Sequence, residues 1–255
     1  MHVRARGTDR LLDVLELVAA QQQPATRNAI AAMLGAPRST VYSIIDTLME
    51  RGFLDQTEPD GLIVPGRQCG LLGQVYDRSA PLARQAKEVI RNLAQSTREV
   101  CELDLLHDWK QLIMISISGR GHGYRTAVEG SRFPLPSTAA ARFLLDGYSA
   151  ADLERSIPAE DFTSLTGTVS SPAQLHREVE LARAQGYWVT RALVDPYVAC
   201  VTAPVRDRQG RCIASICLVV ALQDIDKREA DYISATTAAA AELSRHCAIL
   251  ENPTF

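Results

Sequence analysis

The stretch APRSTVYSIIDTLMERG, residues 36–52, decides how the N-terminal part of the chain is read. Val41, Ile44, Ile45 and Leu48 recur at i, i+3, i+4 and i+7, which lays one apolar stripe along a helix. The same rotation turns Arg38, Ser39, Tyr42, Ser43, Asp46 and Thr47 outward. Gly35-Ala36 supplies a tight turn in front, Pro37 suits the first helical position, and Gly52 ends the helix. Upstream, Leu11, Leu12, Leu15 and Val18 share one face of a helix over 8–20 with Thr8 as its N-cap. Pro24 interrupts that pattern, and Thr26 caps a second helix whose Ala29, Ile30, Met33 and Leu34 align. Downstream, FLDQ (53–56) and LIV (62–64) flank the turn EPDG (58–61), in which Pro presets φ and Gly accepts a positive one. Three helices followed by a hairpin form the pattern of a winged helix-turn-helix over residues 1–66.

Charge complicates that reading. Residues 1–66 carry six arginines against eight acids, a net −2, where a nucleic-acid-binding domain is normally basic. Position offsets the sum. Arg38, Ser39 and Thr40 occupy the first turn of the third helix, where backbone N–H groups and the helix dipole favour a phosphate. Tyr42 and Ser43 are hydrogen-bonding groups able to reach base edges, and Arg4 and Arg6 form a basic arm. The residues expected at DNA are therefore Thr26, Arg38, Ser39, Thr40, Tyr42 and Ser43, with a shallow salt dependence per subunit and a reliance on dimerisation.

The whole chain, 255 residues with a net charge of −3, suits two modest domains and is neither a nucleic-acid-coating protein nor a basic membrane binder. Its longest apolar run, CIASICLVVAL (212–222), falls short of the roughly 20 residues a membrane-spanning helix needs. With no signal-peptide core at the N-terminus, a cytoplasmic location is expected. Cysteines 69, 101, 200, 212, 217 and 247 form no CxxC pair and no zinc spacing, so buried free thiols and no bound metal or cofactor are expected.

Beyond residue 66 the pattern changes. Gly66, Gly70 and Gly73 lead to Pro81 and read as a hinge, followed by a connecting helix to Thr97; residues 67–97 form the linker segment. EVCELDLL (99–106) and QLIMISIS (111–118) flank the turn HDWK as a hairpin, and YRTAVEG adds a strand. Ser171, Pro172 and Gln174 open a helix as N-cap, first residue and capping-box partner, and Gly186 closes it. Tyr197–Val205 and Cys212–Leu222 make a second hairpin around DRQG, and a long Ala-rich helix opens at Asp226 and runs to about Leu250. Strands gathered as hairpins between helices predict an α+β domain over 98–255 built on an antiparallel sheet. Glu102 and Asp104 share one strand face, expected to be solvated.

RLLDVLELVAA, then AIAAMLGAPRSTVYSIIDTLMERGFLDQ, resembles the DNA-binding domain of the IclR family of bacterial transcription regulators. Arg38-Ser39-Thr40-Val41-Tyr42 follow the family pattern, while Ser43 stands where the family commonly has Arg. LHREVELARAQGYWVT (175–190), CVTAPVRDRQGRCIASICLVV (200–220) and PLPSTAAARFLLD (134–146) are similar to later family segments, with Ala141-Arg142-Phe143 in place of Gly-Lys-Ala. The resemblance implies a winged helix-turn-helix joined by a connecting helix to a GAF-like α/β effector-binding domain. It implies as partners double-stranded operator DNA and a small-molecule effector, with assembly as a homodimer or dimer of dimers. Matched effector positions fall at Ala139, Ala140, Thr190, Leu193, Cys200, Cys217 and Val219. Their drier lining points to a partly apolar organic acid, such as an aromatic one, with Arg191 and His122 as carboxylate partners.

Enzymatic signatures are missing: the sequence holds no GxSxG, HExxH or GxxxxGK[ST]. The loop SGRGHGY (118–124) reads as a plain glycine loop. Two other readings stay open at this point. One is a GAF-type sensor or adaptor that does not bind DNA; the other is a thiol-based redox sensor acting through Cys200 or Cys217.

Overall fold

A computed structural model describes residues 7–21, 23–120, 128–164, 166–167 and 170–249. The chain divides into two compact units, residues 1–79 and 80–255, so the boundary falls inside the 67–97 segment.

In the first unit, α1 (Gly7–Ala20), α2 (Arg27–Met33) and α3 (Arg38–Glu50) close on a core of Val14, Ile30, Val41, Ile45 and Leu48. Thr26 Oγ accepts from Ala29 N–H at 3.3 Å and caps α2. Helix α1 already includes Thr8, so that residue lies within the first turn and not before it. Helix α3 ends in a Schellman pair: Phe53 N–H reaches Leu48 O and Gly52 N–H, at φ 75°, reaches Met49 O. The expected hairpin, β2 (Leu54–Gln56) and β3 (Leu62–Pro65), gains a third short strand, β1 (Ala25–Thr26), giving the order β1-β3-β2. Periodicity over two residues is too short to signal such a strand.

The expected glycine hinge is instead helix α4 (Arg67–Ser79). Gly70 and Gly73 sit in it with open space around a would-be Cβ, and each costs only about 1 kcal/mol against alanine. Gly66 is different: a Cβ there would lie 2.5 Å from Gly52 O, so the chain's return past the end of α3 requires it.

The second unit is one antiparallel sheet in the order β6-β5-β4-β9-β8-β7. Its strands are β4 (Val100–His107), β5 (Lys110–Ser118), β6 (Arg132–Pro134), β7 (Trp188–Arg191), β8 (Val198–Arg206) and β9 (Cys212–Ala221). The turn between β4 and β5 is tighter than expected. Asp108 and Trp109 alone make it, both at positive φ, and His107 pairs with Lys110. Most of YRTAVEG lies outside the described residues, and the strand that pairs with β5 on that side is β6.

Alternation sorts the sheet's side chains onto two faces. Leu103, Val201, Ala203, Ile216 and Leu218 point into the main core, against α5 (Pro81–Thr97) and α9 (Leu222–Ala248). Helix α9 starts four residues before Asp226, the predicted start, and breaks locally at Arg228, whose φ is −137°. On the opposite face lie a 3-10 turn at Leu135–Ser137 and α6 (Ala141–Leu144), with α7 (Ala150–Ser156) and α8 (Pro172–Gln185) packed around Leu144, Leu153 and Leu175. Ser171 caps α8, accepting from Gln174 N–H at 3.2 Å. The Gln174 side chain does not close a capping box; it donates to Glu178.

Candidate functional site

On the first unit, Thr26, Arg38, Ser39, Thr40 and Ser43 are exposed and Tyr42 is half-buried, so the polar side of α3 faces solvent. Thr26 Oγ is occupied as the cap of α2. Tyr42 Oη donates to Asn28 Oδ1 at 2.6 Å, which fixes the phenol across the α2–α3 groove. Arg27 pairs with Asp46, donates to Gln56 Oε1 at 3.3 Å and lies 5.9 Å from the Tyr42 ring centroid. The acid on α3 therefore has its cation supplied from α2. Sequence reading assigned Arg27 no role, because the pairing spans 19 positions and two helices.

In the second unit a pocket sits on the sheet face that carries α6; the space within it, counted out into the open solvent at its mouth, is about 480 Å³. Ala139, Ala140, Cys200, Cys217 and Val219 line it, joined by Ile113, Phe133 and Val198 as apolar wall and by Glu102, Gln111, Thr138 and Asp195 as polar groups. The strand register explains the grouping: Glu102 faces Cys217 across β4 and β9, and Cys200 faces Val219 across β8 and β9. Helix α6 is a single turn, but the backbone N–H groups of Ala139, Ala140 and Ala141 donate to no backbone carbonyl among the described residues.

Other expected site residues lie elsewhere. Thr190 and Leu193 line a second cleft with Arg142, Glu178 and Arg191, because Thr190 belongs to the edge strand β7. Arg191 is held by Glu229 at 2.8 Å and Asp226 at 3.4 Å, so it is not a free carboxylate partner in the first cavity. His122 lies outside the described residues.

Glu102 and Asp104 overturn the expected solvated face. They are 4% and 0% exposed, because residues 135–145 cover this side of the sheet. Among the described residues, Glu102 Oε1 and both Asp104 oxygens lack a well-formed hydrogen bond, although Ser116 beside Glu102 and Gln111 beside Asp104 lie close enough to favour the charged forms. Burial pushes the Asp104 carboxyl up to about 7, and burial together with Asp104 raises Glu102 well above the usual carboxylate range. Cys217 is likewise raised, by its hydrogen bond to Cys200 and by burial, which opposes a reactive thiolate at neutral pH.

The chain matches two family models: the IclR helix-turn-helix domain over residues 7–58, and the C-terminal domain of the bacterial transcriptional regulator IclR over residues 74–245. It is 25% identical to the HTH-type transcriptional regulator XynR of Escherichia coli over 88% of this chain and 89% of that one. With the regulator BhcR of Paracoccus denitrificans it shares 28% identity over 94% of this chain and 86% of that one. Among solved structures it resembles an IclR transcriptional regulator from Alicyclobacillus acidocaldarius, with a TM-score of 0.83 at 20% identity, covering 95% and 99% of the two chains. It also resembles an IclR homologue from Microbacterium hydrocarbonoxydans complexed with 4-hydroxybenzoate, with a TM-score of 0.75 at 20% identity, covering 94% and 98%. No described helix is long and apolar enough to cross a membrane. An outward polar helix on a winged helix-turn-helix, a separate sheet-based module and two family models that together cover most of the length make this chain a member of the IclR family of transcription regulators.

Proposed function

We propose that this regulator, acting in the cytoplasm and without catalysing a reaction, changes its operator affinity when a small aromatic or similarly apolar organic acid enters the cavity beside Cys200 and Cys217. The observation that carries the reading is that cavity. Its walls are apolar at Ile113, Phe133, Val198 and Val219, and the amides of residues 139–141, which meet no backbone carbonyl among the described residues, offer donors for an acid headgroup. The Microbacterium neighbour, of the same fold, was solved in complex with 4-hydroxybenzoate, which supports an aromatic acid as the ligand class.

Operator contact is assigned to Arg38, Ser39, Thr40, Tyr42 and Ser43, with Thr26 supporting the start of α2. Self-association as a dimer or dimer of dimers is assigned in part to α4, where Leu71, Leu72 and Val75 are each at least half exposed. The test has two arms. A gel shift on DNA flanking the chain's own gene should show retardation that Arg38→Ala weakens; none at low salt would favour a DNA-independent sensor. A thermal-shift panel should respond to aromatic acids. A response confined to two-carbon hydroxyacids would refute the ligand class.

A further inference from the structure

We propose, resting on the operator reading above, that Asn28 and Tyr42 form one base-reading pair that selects adenine in the major groove. Tyr42 Oη donates to Asn28 Oδ1 at 2.6 Å, so a residue of α2 and a residue of α3 meet across 14 positions. Asn28 is exposed and Tyr42 half-buried. On α3, Tyr42 lies one turn from the exposed Ser39 and next to the exposed Ser43.

Each partner carries both kinds of hydrogen-bonding group: a phenol O–H donates and accepts, and a carboxamide has an amino donor and a carbonyl acceptor. Once the two bond each other, an acceptor remains on the phenol oxygen and a donor on Asn28 Nδ2. Turning the amide over changes only the owners, because the phenol O–H then becomes the outward donor and Oδ1 the outward acceptor. Either way the pair offers one donor beside one acceptor. On a single base, adenine alone answers that pattern in the major groove, with N7 as acceptor next to the N6 amino donor. Guanine presents two acceptors, cytosine only a donor, and thymine an acceptor next to a methyl group.

The surroundings fix the pair and remove a competitor. Arg27 lies 5.9 Å from the Tyr42 ring centroid, and is itself held by Asp46 on α3 and by Gln56 Oε1 on β2 at 3.3 Å. The phenol is thus held at its oxygen by Asn28 and at its ring by Arg27, and a group fixed before binding loses little conformational freedom on binding. The same engagement spends the Arg27 guanidinium, whose two-donor fork would otherwise favour guanine. A bond that only fastened α2 to α3 would give no preference for any base.

The test uses the full-length protein and DNA flanking the chain's own gene. A DNase footprint marks the protected stretch, and gel shifts then follow duplexes in which each of its base pairs is changed in turn. The expected result is an A·T pair whose change to G·C weakens wild-type binding by about tenfold or more. Placing 7-deazaadenine there, which lacks the N7 acceptor, should weaken it as well. Asn28→Ala and Tyr42→Phe should bind the original and the altered duplexes alike, within about twofold, with circular dichroism showing both variants folded. Full discrimination kept by either variant overturns the pair, and an equal loss by Asn28→Ala on every duplex would make that residue a backbone contact. Wild-type binding without any such A·T preference also overturns the pair and leaves the operator reading standing. No retardation of any duplex at low salt removes both.

Discussion

Arg142 stands where the family resemblance puts the Lys of Gly-Lys-Ala, and its replacement by alanine tests how the cavity wall is held. The side chain is 4% exposed. Its Nε donates to Glu178 Oε2 at 3.0 Å and its Nη2 pairs with the same carboxylate. Its Nη1 donates to Pro136 O at 3.0 Å and Thr138 O at 2.6 Å, two carbonyls of the segment that leads into Ala139 and Ala140. Removing one member of a buried pair costs about 3–5 kcal/mol, and a carbonyl left unsatisfied costs about 1–3 kcal/mol. Glu178 is 21% exposed and regains some water, which places Arg142→Ala near the lower bound, at about 3–4 kcal/mol. Arg142→Lys keeps the charge but loses the fork, and should cost about 1–2 kcal/mol. Urea unfolding followed by circular dichroism reads both values, and an Arg142→Ala, Glu178→Ala cycle reads the coupling. A loss below about 1 kcal/mol for Arg142→Ala, or no coupling with Glu178, would refute the claim that this arginine pins the wall.

Other substitutions test other parts of the structure. Gly119→Ala would put a Cβ 1.9 Å from Ala94 O, so it should lower the melting temperature by at least what an overpacked core costs, about 1–3 kcal/mol; a neutral result would mean that α5 and β5 are not so closely placed. Asp46→Asn removes an acid from the exposed side of α3 and releases Arg27 from its ion pair. It should tighten operator binding about threefold to tenfold at low salt in a gel shift, with the gain vanishing at high salt. Replacing both Leu71 and Leu72 by Ser should shift sedimentation toward the monomer while leaving helical content unchanged.

Local pattern made the first unit legible and left the cavity floor hidden. The i, i+3, i+4 spacing around Val41 and Leu48 and the cap at Thr26 act within a few residues, so a linear reading recovers them. Gly70 and Gly73 suggest a hinge in linear sequence, because two weak helix formers cannot be weighed there against the rest of α4. Glu102 and Asp104 look like a solvated face in isolation. Only the fold shows residues 135–145 covering them, and only the register sets Cys217 opposite Glu102. Thr190 and Leu193 were matched through a family segment, yet an edge strand carries Thr190 to a neighbouring cleft. Contacts made between distant strands leave no periodic signal in the sequence that makes them.

A coupling between cavity and operator has to work in both directions. If an aromatic acid changes operator affinity by some factor, bound operator must change the affinity for that acid by the same factor, because both edges belong to one thermodynamic cycle. Such couplings commonly fall at about 5–150-fold. A ligand that stabilises the second unit without distinguishing the DNA-bound arrangement would raise its melting temperature and still regulate nothing. Calorimetric titration of the acid into free protein and into protein saturated with operator therefore decides more than a thermal shift does. Equal dissociation constants in the two titrations, alongside a gel shift that the acid alters, would mean that the titrated site is not the one coupled to the operator. The acid would then be acting at some site other than the cavity beside Cys200 and Cys217.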